Sequence, residues 1–149
     1  MARLMSVVQD TRRRGQAVVE FALVLPVFLL LLLGAVEFGR AYLRLHLLTN
    51  AAREGARAGS LPDSTDTIVQ TAVNDFLTTA GVGSLATDHI IITVTDAGGA
   101  ARTGGLSKAV QGDRVKVELQ SDLEVMSGTL IPHWSGTVPL RAACVFRHE

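Results

Sequence analysis

An uncharged apolar segment near the N-terminus constrains this chain more than any other feature of its sequence. Residues 21–36 are sixteen residues without a charge, and they include five consecutive leucines. Sixteen helical residues rise about 24 Å, and extension back to Ala17 gives about the length that crosses the ~30 Å hydrocarbon core of a bilayer. The sequence therefore predicts a single-pass membrane helix anchored in the lipid bilayer. The span includes Phe21, Pro26, Leu30 and Val36.

The charges that flank this segment predict its orientation. Arg40 and Arg44 follow the span at low density near Glu37, whereas the residues before it carry a denser basic cluster, namely Arg3, Arg12, Arg13 and Arg14. Basic residues stay on the cytoplasmic side, so we expect the N-terminus inside and the C-terminal part outside the cytoplasmic (inner) membrane. The formal net charge of the chain is zero, which gives no indication of a nucleic-acid partner.

Helical periodicity continues beyond the span, from Gln16 to about Gly59, as a stripe of apolar and small residues in steps of three and four. Proline within residues 61–64 interrupts this helix, and the same residues are expected to supply the cap of the next. A second amphipathic helix of about fifteen residues is predicted from near Ile68. Gly81 is its expected stop.

Three later segments, residues 89–95, 114–120 and 138–147, predict strands by their β-branched content or their alternation. Apolar residues share one face in the last two strands: Val115, Val117 and Leu119, then Val138, Leu140, Ala142, Cys144 and Phe146. Residues 97–112 are rich in Gly and Ala and predict a mobile loop. We expect an α+β fold with a long N-terminal transmembrane and stalk helix, a second amphipathic helix and a small antiparallel sheet of about three strands.

Glu20 is an unexpected residue at the start of an apolar helix, because a carboxylate there costs a few kcal/mol unless it finds a partner. It lies five residues after Gly15, where a basic segment ends. Cleavage after Gly15 would free an α-amine on Gln16, and Glu20 of a neighbouring helix could accept that amine and set the register between subunits. An uncleaved signal anchor, with Glu20 reaching the cytoplasmic headgroups, explains the same residues. The residues alone leave both interpretations open.

Ala51, Gly55 and Gly59 recur every four residues and form a small-residue stripe. Such a stripe permits close approach of another helix. Packing against the chain's own sheet is the interpretation that we favour. Near this stripe, Arg53, Glu54 and Arg57 are interpreted as solvated charges.

Enzymatic, metal and cofactor sites are not predicted. The glycine-rich residues 98–108 lack the G-x-x-x-x-G-K-[ST] pattern of a phosphate loop and lie between strands. His46, His89, His133 and His148 show no metal-ligand spacing. Cys144, the single cysteine, excludes an internal disulfide and is expected in the core, and Trp134 is expected to close one end of it.

The stretch Gly15-Gln16-Ala17-Val18-Val19-Glu20-Phe21-Ala22-Leu23-Val24-Leu25-Pro26 resembles the start of the TadE-like family, the minor pilins or pseudopilins of the tight-adherence (Flp-type, type IVb) pilus system. Residues 33–40, residues 51–58 with their Glu-Gly-Ala-Arg, and the closing Arg147-His148-Glu149 are similar as well. The resemblance is strong over residues 12–59 and general beyond them.

The resemblance implies a pilin-like, non-enzymatic protein that acts by assembly of an adhesive pilus. A membrane prepilin peptidase would cleave between Gly15 and Gln16, and Glu20 with Phe21 would set the assembly register. Other pilin subunits and an inner-membrane assembly platform would be its partners, and the mature chain could enter the pilus. Phe21 in place of the usual Tyr of major pilins, together with a sizeable C-terminal domain, favours the minor role.

The expected organisation is a cleaved basic leader (residues 1–15), a transmembrane and stalk helix (16–60) and an extracytoplasmic α+β domain (61–149). Two competing hypotheses come from other functional classes. One is an uncleaved membrane-anchored envelope protein whose residues 97–112 or Trp134 loop bind a ligand. The other is a membrane-anchored hydrolase. The sequence argues against it, because no nucleophile, base and orienting acid occur at a plausible spacing.

Overall fold

A computed structural model describes residues 2–126 and 136–149, with side chains from residue 16 onward. Two helices, α1 (Ala2–Gly59) and α2 (Asp66–Thr79), precede three strands, β1 (Ile90–Thr95), β2 (Arg114–Glu124) and β3 (Thr137–Arg147). Short 3₁₀ turns lie at Thr87–His89 and Leu106–Lys108. The predicted α+β fold is confirmed. Trp134 and His133 lie outside the described residues.

The chain forms two compact units, Met1–Gly39 and Arg40–Glu149. In the described part of the first unit, α1 begins at Ala2, well before the predicted start at Gln16. Residues 2–14 contain neither Gly nor Pro, and a single Gly15 costs a helix only about 1 kcal/mol, so the basic segment continues the same helix. Pro26 lies inside α1 without ending it.

In the second unit, α1 ends at Gly59 as predicted, and the N-cap of α2 lies one residue after residues 61–64, which were expected to supply it. Thr65 is the N-cap of α2, and its hydroxyl accepts a hydrogen bond from the backbone N–H of Ile68 (3.4 Å). The hydroxyl of Ser64 donates instead to the carbonyl of Ala58 (2.6 Å). Residues 61–64 therefore close the first helix, and the neighbouring Thr65 opens the second.

The sheet is antiparallel, with the strands in the order β1-β2-β3. β1 begins at Ile90 because His89 belongs to a 3₁₀ turn. β2 continues to Glu124, four residues past the predicted end, and pairs with β3 over its whole length. The apolar alternation that predicted β2 stops at Leu119, because the next inward position holds the buried polar residue Ser121. The pattern therefore predicted a strand that is four residues too short at its C-terminal end.

The core of the second unit lies between the two helices and one face of the sheet. Val115, Val117 and Leu119 are fully buried, as their alternation predicts. On β3 only Leu140 and Ala142 are buried on the predicted apolar face. Helix residues complete the core, chiefly Leu48, Ala51, Ala52, Ala56, Val69, Val73 and Leu77.

The segment between β1 and β2 was predicted as a mobile loop, but it is anchored at several points. Leu106 is buried in the core, and its backbone N–H donates to a carboxylate oxygen of Asp66 (3.1 Å). The N–H of Arg102 donates to the carbonyl of Val94 (2.8 Å), and Ala101 bridges to Thr95. One buried leucine in a run rich in Gly and Ala was too weak a signal to predict this packing.

Candidate functional site

The first unit presents an apolar helix surface whose described side chains are largely exposed. Phe21 is 65% exposed, Leu30 56% and Val36 46%. The segment Gln16–Gly59 is long and apolar enough to cross a membrane, and its most apolar 18-residue window has a mean hydropathy of 2.6 with none of it buried. Each fully buried side chain of this size gains about 1.5–3 kcal/mol from leaving water. The surface is therefore compatible with single-pass membrane anchoring.

Glu20 is the carboxylate inside this apolar surface, and the structure places it one helical turn after Gln16. The side-chain amide of Gln16 donates to Oε1 of Glu20 (3.0 Å), and within the described part of the chain no donor lies on Oε2. Gly15 lies in the same helix, about 7.5 Å along the axis from Glu20. The predicted processing site, Gly15 and Gln16, and the residues Glu20 and Phe21 thus lie on consecutive turns of α1. One carboxylate oxygen of Glu20 is available to a second donor.

The small-residue stripe of α1 lies against this chain's own core. A Cβ added at Gly55 would lie 2.5 Å from Cγ2 of Val73 and 3.5 Å from Cγ1 of Val117. At Gly59 it would lie 3.0 Å from Val115. Ala51 is fully buried in the same cluster. The absence of side chains at Gly55 and Gly59 allows α2 and β2 to approach α1 closely.

Arg44 is a structural residue that its sequence context did not reveal. Nη1 donates to the carbonyl of Val82 (3.3 Å), and Nη2 donates to the hydroxyl of Ser121 (3.1 Å). Arg44 thereby connects α1 to the segment after α2 and to β2. From the sequence it was interpreted only as a charge that flanks the membrane span. Arg57, by contrast, forms an exposed ion pair with Glu54 (2.6 Å), which agrees with a solvated pair of small energetic value.

A second buried polar cluster joins the two ends of the domain. Asp113 is buried, forms an ion pair with Arg102 and accepts a hydrogen bond from the N–H of Val110 (2.9 Å). Its backbone carbonyl accepts from the N–H of His148 (2.7 Å), and Nδ1 of His148 donates to the carbonyl of Gly59 (3.1 Å). The end of β3 is therefore fixed to the end of α1.

The hydrogen bond from Val110, together with the Arg102 guanidinium, lowers the pKa of Asp113 below its ordinary value of 3.8. A lowered carboxyl pKa stabilises the fold above the unfolded-state value, and this stabilisation is lost as the pH falls through the folded-state value. We therefore expect Asp113→Asn to lower the melting temperature of the detergent-solubilised chain at pH 6. The difference from wild type should shrink as the pH falls below about 3.8.

The matched control for this pH series is Asp122→Asn, since Asp122 is an exposed aspartate on β2. Exposed substitutions usually change the free energy of unfolding by no more than about 0.5 kcal/mol, so the melting temperature of this variant should stay close to that of the wild type at each pH. A difference in melting temperature between Asp113→Asn and wild type that stays constant from pH 6 to pH 2 would contradict the lowered pKa of Asp113.

The residues considered for catalysis or metal binding do not converge in the described part of the chain. Residues 16–126 and 136–149 contain no group of three His, Cys, Asp or Glu side chains placed to hold a metal ion. Cys144 is a free thiol, half-buried against the core cluster. The glycine-rich residues 98–108 connect β1 to β2, and the element that follows them is β2 and not an α-helix.

Comparison with known families gives a match on α1. The family model described as TadE-like protein matches residues 15–57. This range includes Gly15, Glu20, the whole apolar span and Gly55. No curated protein and no solved structure matches the chain.

Proposed function

We propose that this chain, whose residues 15–57 match the model of the TadE-like proteins of the Tad pilus system, is a minor pilin processed between Gly15 and Gln16. The observation that carries the proposal is the arrangement of residues 15–20 within α1. A Gly-Gln step lies one turn before a lone carboxylate, and an uncovered apolar helix surface follows.

Cleavage after Gly15 would change the electrostatics of this helix end. Removing residues 1–15 removes four arginines and leaves one new positive charge, the α-amine of Gln16, next to an apolar surface. A charge held without a partner in such surroundings costs about 3 kcal/mol. In our proposal this amine pairs with Oε2 of Glu20 on a neighbouring subunit, while Oε1 keeps the amide of its own Gln16.

The pairing would also fix how far one subunit is offset from the next along the helix axis. Apolar surfaces alone allow sliding, because any offset buries a similar area, whereas one charged pair satisfies both partners at a single offset. A buried polar group that selects a register is the best-attested use of such groups. Phe21 lies beside Glu20 and would pack at the same contact.

Before assembly, the span would hold the precursor in the inner membrane with its basic end in the cytoplasm, within reach of a membrane prepilin peptidase. The second unit would lie outside the cytoplasm, where it could contact other pilin subunits or the inner-membrane assembly platform. The presence of this α+β domain and of Phe21 after the carboxylate supports a minor component over the main filament subunit. The pilus would act in adhesion.

The test is expression of the full chain in a host with and without the prepilin peptidase of the pilus system, followed by intact-mass measurement. We expect loss of the mass of residues 1–15 only when the peptidase is present. Gly15→Leu should keep the full mass in both hosts, whereas Gly34→Leu, at a glycine of the same helix with open space around it, should be cleaved like wild type. Full mass for the wild type in both hosts would support the uncleaved anchored envelope protein instead.

A further inference from the structure

The outer face of the sheet carries two arginines directly opposite each other. Arg114 on β2 pairs in register with Arg147 on β3, and Thr95 of β1 is the partner of Arg114 on the other side. Val115 and Val117 point into the core, so the alternating Arg114 lies on the face away from the helices. Like charges directly opposite on neighbouring strands destabilise a sheet. Their position therefore calls for a compensating negative charge.

The described residues do not provide that charge. In residues 16–126 and 136–149, no ion pair includes Arg114 or Arg147. Lys116, the next cation on the same face, is paired with Glu118 (2.9 Å). Asp113 is buried and paired with Arg102. The two opposed guanidiniums thus differ from Lys116 and Arg102, which are already paired with carboxylates.

Both arginines line a cleft of about 360 Å³. Its other lining residues are Ala97, Gly112, Val145 and Phe146. An added Cβ at Gly112 would lie 3.5 Å from Nη2 of Arg147, so the guanidinium lies over this glycine. Gly112 also has φ +96°, which disfavours any side chain there. The bare turn keeps the cleft open beside the guanidinium.

We propose that Arg114 and Arg147 form a binding site for an oxyanion, a carboxylate or a phosphate group, in this cleft. Guanidinium groups bind both anions through paired N–H donors, and such charge-assisted bonds are about twice as strong as neutral ones. The site lies at the opposite end of β2 from Asp122 and Glu124, two exposed acids on the same face. A second copy of the chain is therefore one source of the carboxylate, and a soluble oxyanion is the other.

This site is independent of cleavage at Gly15, so the two proposals can fail separately. The test titrates the full chain in detergent micelles with two probes, inorganic phosphate and a synthetic peptide of residues 118–126, at constant ionic strength. Calorimetry and the Nε–H resonances of arginine in nitrogen-15 spectra report the binding. We expect saturable binding of at least one probe, weakened about tenfold or more by Arg114→Gln or Arg147→Gln, because each substitution removes charge-assisted hydrogen bonds to the anion.

Arg141→Gln is the matched control, since Arg141 lies on the same strand and face but opposite Gln120. It should change affinity less than about twofold. Arg147→Lys keeps the charge but loses the paired donors, so its affinity should fall between wild type and Arg147→Gln. Binding of phosphate alone identifies a soluble oxyanion as the ligand, and binding of the peptide identifies a second copy. No saturable binding of either probe, or an equal loss in Arg141→Gln, overturns the proposal.

Discussion

Replacing Glu20 by Gln is expected to reduce incorporation of the chain into the pilus by about tenfold or more. The substitution keeps the size of the side chain and removes the charge that would receive the α-amine of Gln16. An unpaired charge in apolar surroundings costs about 3 kcal/mol, which corresponds to a factor of about a hundred in an equilibrium constant. The measurement is the amount of chain in sheared pili relative to the membrane fraction.

The matched control is Glu54→Gln, the same substitution at another carboxylate of α1. Glu54 forms an exposed ion pair with Arg57, and such pairs contribute at most about 1 kcal/mol. Incorporation should therefore stay close to that of wild type. Equal incorporation of Glu20→Gln and wild type would contradict the pairing of Glu20 with a neighbouring amine and would favour a carboxylate that reaches the headgroups.

Replacing Gly55 by Leu is expected to destabilise the second unit by about 3 kcal/mol, which lowers its melting temperature by about 10 °C or more. The first added carbon would lie 2.5 Å from Cγ2 of Val73 and 3.4 Å from Cγ1 of Val69. Both valines are fully buried and, being β-branched, have few alternative rotamers. Thermal unfolding of the detergent-solubilised chain, followed by near-ultraviolet circular dichroism, measures the effect.

Gly39→Leu is the control for this prediction, because a Cβ at Gly39 would have no atom within 4 Å. Leu has a higher helix propensity than Gly by somewhat less than 1 kcal/mol, so the control should be as stable as wild type or slightly more stable. A melting temperature for Gly55→Leu equal to that of the control would mean that α1 does not pack tightly against α2 and β2.

The parts of the fold that the sequence predicted well are those whose pattern is local and repeated. The uncharged run in residues 21–36 and the alternation of Val115, Val117 and Leu119 each hold over several residues, and both correspond to elements of the structure. Element ends were predicted less well. Thr65 caps α2 through a single hydrogen bond, which leaves no periodic signal. β2 continues past Leu119 by pairing with β3, and the buried polar Ser121 interrupts the apolar alternation there.

The polar contacts that hold the second unit together were not predicted, because their partners are far apart in the chain. Arg44 reaches Ser121 across 77 positions, and His148 reaches Gly59 across 89. Arg44 lies where a flanking membrane charge is expected, and the closing Arg147-His148-Glu149 gives no indication of a partner for His148. The hydrogen bond between Gln16 and Glu20 was not predicted either, although the two residues lie one helical turn apart and this spacing indicates a side-chain contact.

The identity of the N-terminal residue in the native host tests the central claim most directly. Intact mass and N-terminal sequencing should be applied to the chain purified from the membrane fraction and from sheared pili. We predict a mature chain that begins at Gln16 in both fractions. A chain that retains residues 12–15 would contradict processing as a prepilin, and the uncleaved membrane-anchored protein would then be the better account.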